Sequence, residues 1–262
     1  MLKQKCLILA MVLPLMWMGG CSNLVAIPDA PVFVNSEQAI AAYARVLAHF
    51  VNERGEVAFT ALKADHKDLD DYIAYIAHTS ASEFVNPNER LAHYLNSYNA
   101  LSMYNVLASG IPESNAGIAK VEFFVLRKFI IGKQEMSLND YETDIIRPLG
   151  DPRVHFALNC SSLGCPILPR KPFTGLNLSA ELDYEARKFL SEARNVRLEP
   201  KQGTLYLSEI LSFYSKDFVK PPAIPNLITY INQYVSTPIP LDYEIKFIDY
   251  DWTIANSSRR SQ

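Results

Sequence analysis

Residues 121–147 read VEFFVLRKFIIGKQEMSLNDYETDIIR, and their order sets the fold class. Val121 to Ile131 alternates loosely and is rich in Phe, Val and Ile, which predicts a strand. Gly132-Lys133 supplies a tight turn, and Gln134 to Ser137 the short hairpin partner. From Leu138 the pattern turns helical and runs to Arg147, where Pro148 ends it. Upstream, Ser36 is a plausible N-cap, and Ile40, Tyr43, Leu47 and Phe50 or Val51 recur at three- and four-residue steps, predicting a helix ended by Gly55. Val57 and Phe59 suggest a short extended piece. Leu69, Tyr72, Ile73 and Ile76 mark a helix over 69–78, and Asn86-Pro87-Asn88 opens a long one from about Glu89 to Ser109, closed by Gly110. Downstream the pattern predicts a strand over 154–158, a helix over 176–193, a strand over 205–207 and a helix from the Ser208 cap through Tyr214. A helix over 226–234 and a strand over 243–250 follow. Helices and strands interleave, so the expected fold class is α+β, a single mixed domain over 35–262 with a small, mostly antiparallel sheet.

The chain has 262 residues, enough for one sizeable domain with a genuine core. Hydrophobic residues at 49% and charged residues at 20% exclude a disordered or collagen-like chain. A net charge of −3 without basic runs argues against nucleic acid as the main partner. Ten Gly against 14 Tyr and 13 Phe leave no glycine-rich phosphate loop.

At the start of the chain, Lys3 and Lys5 precede an apolar run from Cys6 to Met18, followed by Gly19-Gly20-Cys21. This describes an export signal over 1–20, too short to remain as a membrane-spanning helix. The Gly-Gly-Cys end resembles a bacterial lipobox, with Met18 where Leu is usual, and implies lipidation of Cys21. Ser22, rather than Asp, implies an outer-membrane anchor facing the periplasm. An ordinary secretory peptide with an incidental Cys is the alternative. Residues 21–34, with Pro28 and Pro31, read as a tether. The expected partners are therefore the membrane, through a lipid at Cys21, and an envelope ligand or protein.

The stretch densest in reactive residue types is DPRVHFALNCSSLGCP, 151–166. A thiol becomes a useful nucleophile as a thiolate, which a neighbouring imidazole can generate. Strand alternation would send His155 and Cys160 to opposite faces, so pairing them requires a bend near Asn159. In an oxidising compartment Cys160 and Cys165 can instead close a disulfide. A zinc site lacks both the usual cysteine spacing and a fourth ligand, so no metal is expected. On the long helix Asn96 and Asn99 share a face with Met103. Asn is poor in mid-helix, so the pair points to a solvated face, a buried polar network or a site lining, with His93 either solvated or part of the polar set. Asp140 in a first helical turn is explained by the dipole, while Glu142 could also orient a histidine or an amide. SEILSFYSKDF (208–218) and Tyr250-Asp251-Trp252 read as aromatic packing.

Taken together, Asn96 to Ala100 (N-x-Y-N-A), Ser137 to Glu142 (S-L-N-D-x-E), Asp151 to Pro166, Ser208 to Phe218 and Tyr250 to Trp252 resemble the family catalogued as domain of unknown function 547, over roughly residues 55–256. The sequence departs from that family's pattern at His93, at Thr143, where His is frequent, and at Asn256, displaced by Ala255. The resemblance implies that His155, Asn159, Cys160, Cys165, Asn96, Asn99 and Glu142 hold motif positions, and it implies no activity or cofactor. By residue type alone, the constellation is similar to papain-like and transglutaminase-like enzymes. Two functions follow. One is an envelope binding domain stapled by a Cys160–Cys165 disulfide, with Asn99, Asn159 and Cys165 at its binding site. The other is a thiol-dependent hydrolase or acyl transferase acting on an envelope peptide or amide, with Cys160 as nucleophile, His155 as base and Glu142 or Asn96 orienting it.

Overall fold

The computed structural model describes residues 23–29 and 35–259; the expected signal segment and Cys21 lie outside the described residues. Four helices build the first half: α1 (Ser36–Phe50), α2 (Phe59–Ala64), α3 (Lys67–His78) and α4 (Pro87–Ala108). The α1 cap is Asn35, one residue before the expected Ser36, its side-chain oxygen accepting from the Gln38 N–H. Tyr43 stacks on Tyr72 at 4.6 Å and joins α1 to α3. Residues 59–64, expected to open in an extended piece, are helical, and only Val57 bridges to neighbouring backbone. Among the described residues no helix is long and apolar enough to cross a membrane.

The strand expected from Val121 begins only at Arg127. Ile118–Val121 forms a helical turn, α5, which widens into a π-type turn over Glu122–Leu126 before β2 (Arg127–Ile131). Tertiary contacts override the strand propensity here. The Asn105 amide donates to the Phe123 carbonyl at 2.8 Å, and the Arg127 guanidinium bonds both Asn105 and Glu122. β3 (Gln134–Ser137) pairs antiparallel with β2 as expected, through Gly132 and Lys133, whose φ angles of 56° and 69° suit a hairpin turn. β1 (Asn23–Leu24), from the stretch read as a tether, pairs parallel with β2. A capping box between Ser137 and Asp140 starts α6 (Leu138–Asp140), which passes into a second π-type turn over Tyr141–Ile146.

The second half contains α7 (Leu178–Ser191), β4 (Val196–Glu199), β5 (Thr204–Ser208), α8 (Glu209–Phe213), α9 (Ser215–Phe218), α10 (Leu227–Ile231) and β6 (Glu244–Ile248). β4 is a short edge strand of four residues in which Val196 and Leu198 alternate with Arg197 and Glu199. The fold is α+β, with two three-stranded sheets, each combining one parallel and one antiparallel pair.

Residues 154–158 are not a strand. Asp151 caps a tight 3₁₀ turn over Pro152–Phe156, its carboxylate accepting from the Arg153 N–H, with Pro152 preset for the first position. The segment is the seam between two apolar cores. Val154, Ala157 and Leu158 join the core built on α1–α4, whereas Phe156 joins the core built on α7, β5 and α8–α10.

Candidate functional site

The long helix α4 is buried almost all round, including its polar residues Asn96, Asn99, Ser102 and Asn105, spaced three apart along one stripe. The three Asn side chains tie down backbone that has no regular ladder of its own, Asn105 through the Phe123 carbonyl. Asn96 donates to the Phe173 carbonyl and accepts from the Phe173 N–H, both at 2.9 Å. Asn99 donates to the Ala157 carbonyl at 3.0 Å and accepts from the Asn159 N–H at 2.8 Å. Ser102 meets Ser161 at 3.0 Å. Of the three options for the Asn pair, a buried polar network is what forms. Both polar atoms of the Asn96 amide engage Phe173 backbone, so the structure places Asn96 with the 173 loop and not beside His155.

Asn159 continues the scaffold. Its amide donates to the Pro166 carbonyl at 2.7 Å and its oxygen accepts from the Ser161 N–H at 2.7 Å, so it closes the 160–166 loop from within. Asn99 and Asn159 hold the backbone that shapes the site, and Asn159 also lines a neighbouring cleft of about 400 Å³. Immediately after Cys160, Ser161 sits at φ 63°, a conformation non-glycine residues adopt only when their surroundings enforce it.

The same loop pairs with the chain near its end: Leu163 N–H donates to Thr253 O, Gly164 N–H to Asp251 O, and Ala255 N–H to Ser161 O, each at 2.8 Å. This pairing delivers Tyr250 to the sulfurs. Its hydroxyl lies 3.1 Å from Cys160 Sγ and 2.9 Å from Cys165 Sγ, and the Cys160 N–H donates to Cys165 Sγ at 2.9 Å. Both cysteines are free thiols, which corrects the expected disulfide staple. The sulfurs hydrogen-bond around one hydroxyl rather than to each other through a covalent bond.

His155 lies on the other wall. Its Nε2 is 2.8 Å from Asp217 Oδ2, its ring stacks on Tyr214 at 3.8 Å, and Arg147 holds the same Asp217 carboxylate at 2.7 Å. Hydrogen bonding from His155, reinforced by Arg147 and outweighing burial, keeps Asp217 well below the usual carboxylate range. Glu142 is buried within the second π-type turn and accepts from the Tyr98 hydroxyl at 3.1 Å. Burial, then the neighbouring Glu142, pushes the Tyr98 and Tyr214 hydroxyls up, so both remain protonated donors.

These groups share one cavity of about 60 Å³, lined by Cys160, Cys165, His155, Glu142, Tyr98 and Tyr214 and closed by aromatic rings that include Tyr250, Phe213 and Trp252. The objection that alternation separates His155 from Cys160 falls with the strand itself: the 3₁₀ turn and the Asn159-held bend bring both to the lining of one cavity. Burial raises the Cys160 thiol, but hydrogen bonds from Cys165, Tyr250 and Ser162 outweigh it and bring it down to about 7. Burial and then the adjacent Cys160 push Cys165 well above its ordinary value. As pH rises through about 7 the pair therefore comes to hold one thiolate and one thiol around the Tyr250 hydroxyl, which burial and the two sulfurs keep protonated. A thiolate that shares a small cavity with an imidazole and meets a hydroxyl donor is equipped for nucleophilic attack on a carbonyl. Among the described residues no group of three or more His, Cys, Asp or Glu is placed to hold a metal ion.

The structure therefore brings Cys160, Cys165, His155 and Glu142 together and assigns Asn96, Asn99 and Asn159 to the scaffold. Asp217, Tyr214, Tyr98 and Tyr250 complete the site although in sequence they read as packing residues. The spacing Tyr214-x-x-Asp217 was the available signal, since it places a hydroxyl and a carboxylate one turn apart.

Residues 82–190 match the model of the family described as Protein of unknown function, DUF547. That span holds Asn96, Asn99, Glu142, His155, Asn159, Cys160 and Cys165, while Tyr214, Asp217 and Tyr250 lie beyond it. No curated protein and no solved structure matches the chain.

Proposed function

We propose that this domain is a thiol-dependent hydrolase or acyl transferase, anchored in the cell envelope by a lipid on Cys21 and acting on an envelope peptide or amide. One observation carries the reading: two free thiols share a cavity with a histidine whose Nε2 is held by a carboxylate. Cys160 thiolate attacks the carbonyl carbon, a C–S bond forms, and the imidazole of His155 gives the departing amine its proton as the C–N bond breaks. Asp217 holds the ring and stabilises the imidazolium that exists between proton transfers. Once the sulfur is acylated, the Tyr250 hydroxyl has lost an acceptor there and is free to donate to the developing oxyanion. Water, deprotonated by His155, then adds to the thioester and the C–S bond breaks. For transfer, an acceptor amine replaces that water.

The cavity has room for about two waters, so the reacting carbonyl enters by displacing them or by moving the half-exposed Phe213. The experiment uses p-nitrophenyl acetate as an acyl donor. A burst of p-nitrophenol with a single acetyl group on Cys160, absent from Cys160→Ser, supports the reading. Equal turnover by Cys160→Ser would leave a binding domain as the better account. The anchor is tested separately: Cys21→Ala releases the protein from membranes if Cys21 carries the lipid.

A further inference from the structure

We infer that the exposed apolar stripe of residues 118–126 is a membrane-contact surface, which seats the domain on the bilayer beside its anchor. Ile118, Val121 and Val125 are spaced three and four apart, so they share one side of the helical turns that lead into β2. They are 88%, 49% and 45% exposed, and Leu126 after them is 52% exposed, whereas Phe123 between them is buried in the core. Apolar side chains left outside the core over consecutive turns mark a surface with a use beyond the fold.

What covers the stripe follows from where the chain leads. Residues 21–34 read as a tether, but β1 sets Asn23 opposite Arg127 and Leu24 opposite Lys128, directly after the stripe. Only Ser22 then separates Cys21 from the sheet, and two residues reach at most about 7 Å. The lipid proposed on Cys21, on which this inference rests, therefore enters the bilayer close to Leu126. Leu24, 39% exposed, adds an apolar side chain there. Charge agrees with a lipid surface. Glu122, within the stripe, pairs with Arg127 at 2.7 Å. No ion pair of the described residues engages Lys120. Its ammonium lies 4.1 Å from the centre of the Trp252 ring and 5.5 Å from that of Phe213. A free cation over a Trp, beside exposed aliphatic side chains, suits the headgroup level, where amphipathic rings gather and anionic lipids attract basic groups. Phe213 and Trp252 also close the thiol cavity, so this seating turns its aromatic cover toward the bilayer. The stripe orients the domain, while stable attachment takes the lipid as well.

The test places a tryptophan on the stripe of the intact chain, Val121→Trp. The protein is mixed with vesicles of brominated phosphatidylcholine and phosphatidylglycerol, whose acyl chains quench a ring that enters them. Leu176→Trp is the companion: Leu176 is 90% exposed, and its neighbour Gly175 packs on Glu89 in the first turn of α4. That turn lies about 24 Å along the helix from Asn105, which holds Phe123. The same ring there controls for tryptophan's own affinity for interfaces. Quenching of Val121→Trp is at least about twofold that of Leu176→Trp, as for a side chain that enters the headgroup boundary. Adding Ile118→Ser and Val125→Ser to Val121→Trp relieves it, and circular dichroism melts establish that the variants fold. The inference is overturned if the two tryptophans are quenched equally or if neither is quenched. It is also overturned if sedimentation shows a dimer that Ile118→Ser with Val125→Ser dissolves, which gives the stripe to a second copy. Mass spectrometry reads the lipid on Cys21 separately. A chain without that lipid whose Val121→Trp is still quenched keeps the stripe and loses the anchor, whereas a lipidated, vesicle-bound chain without quenching does the reverse. Acetylation of Cys160 does not enter this readout.

Discussion

The Tyr250 hydroxyl lies 2.9 Å from Cys165 Sγ, and the same oxygen is 3.1 Å from Cys160 Sγ. Because burial and the sulfurs keep this phenol protonated, its single proton goes to whichever sulfur is the thiolate, and the other sulfur keeps its own. Tyr250→Phe removes that donor and leaves the ring, which packs against Trp252 at 4.3 Å. Alkylation of Cys160 at neutral pH should slow about tenfold, matching a lost hydrogen bond of about 1.5 kcal/mol to a charged group. An unchanged rate would mean the hydroxyl only packs.

Gly164 permits this arrangement by having no side chain. A Cβ there would meet the Asp251 nitrogen and the Tyr250 ring at 2.9 Å, contacts that neither rigid backbone nor a packed ring can relieve cheaply. Gly164→Ala should cost about 1–3 kcal/mol in urea unfolding and also slow Cys160 alkylation, as Tyr250 is pushed from the sulfurs.

Asn99 links the helical scaffold to the reactive segment. Asn99→Ala leaves the Ala157 carbonyl and the Asn159 N–H buried without partners. The expected loss is about 2–4 kcal/mol, two unsatisfied backbone groups at the usual cost of each. Asn88→Ala, at an exposed position near the start of α4, serves as the control and should stay within about 0.5 kcal/mol.

Acid should weaken the fold in two separate windows. Burial lowers His93 from 6.5 to about 4, so between those values the unfolded chain binds a proton that the folded one refuses. Stability is full above pH 6.5 and falls as pH drops toward 4, by up to about 3 kcal/mol. Asp217 acts lower: its folded value is depressed, so its contribution is present above 3.8 and is lost as pH falls through the folded value. His93→Phe should flatten the first decline and leave the second, as read from urea midpoints from pH 8 down to pH 2.

Much of the helical half was legible because its periodicity and punctuation are local. Asn86-Pro87 opening α4, the Gly132-Lys133 turn and the Ser208 cap all stand as read. The strands expected over 121–126 and 154–158 failed for one reason. In both, apolar β-formers are held in tight or widened helical turns by distant side chains, Asn105 for the first and Asn99 for the second. The site divided in the same way. Cys160, Cys165, His155 and Glu142 were visible from chemistry within short stretches. Asp217 and Tyr250 were not, since they meet His155 and Cys160 from 62 and 90 residues further along the chain.

The most direct test of a reactive, unbridged Cys160 is its iodoacetamide labelling as a function of pH, followed by mass spectrometry with and without reductant. The account predicts labelling without reductant, a rate half-maximal near pH 7, and a marked slowing in His155→Ala. Labelling of Cys160 and Cys165 only after reduction would contradict it and make the pair a structural bridge.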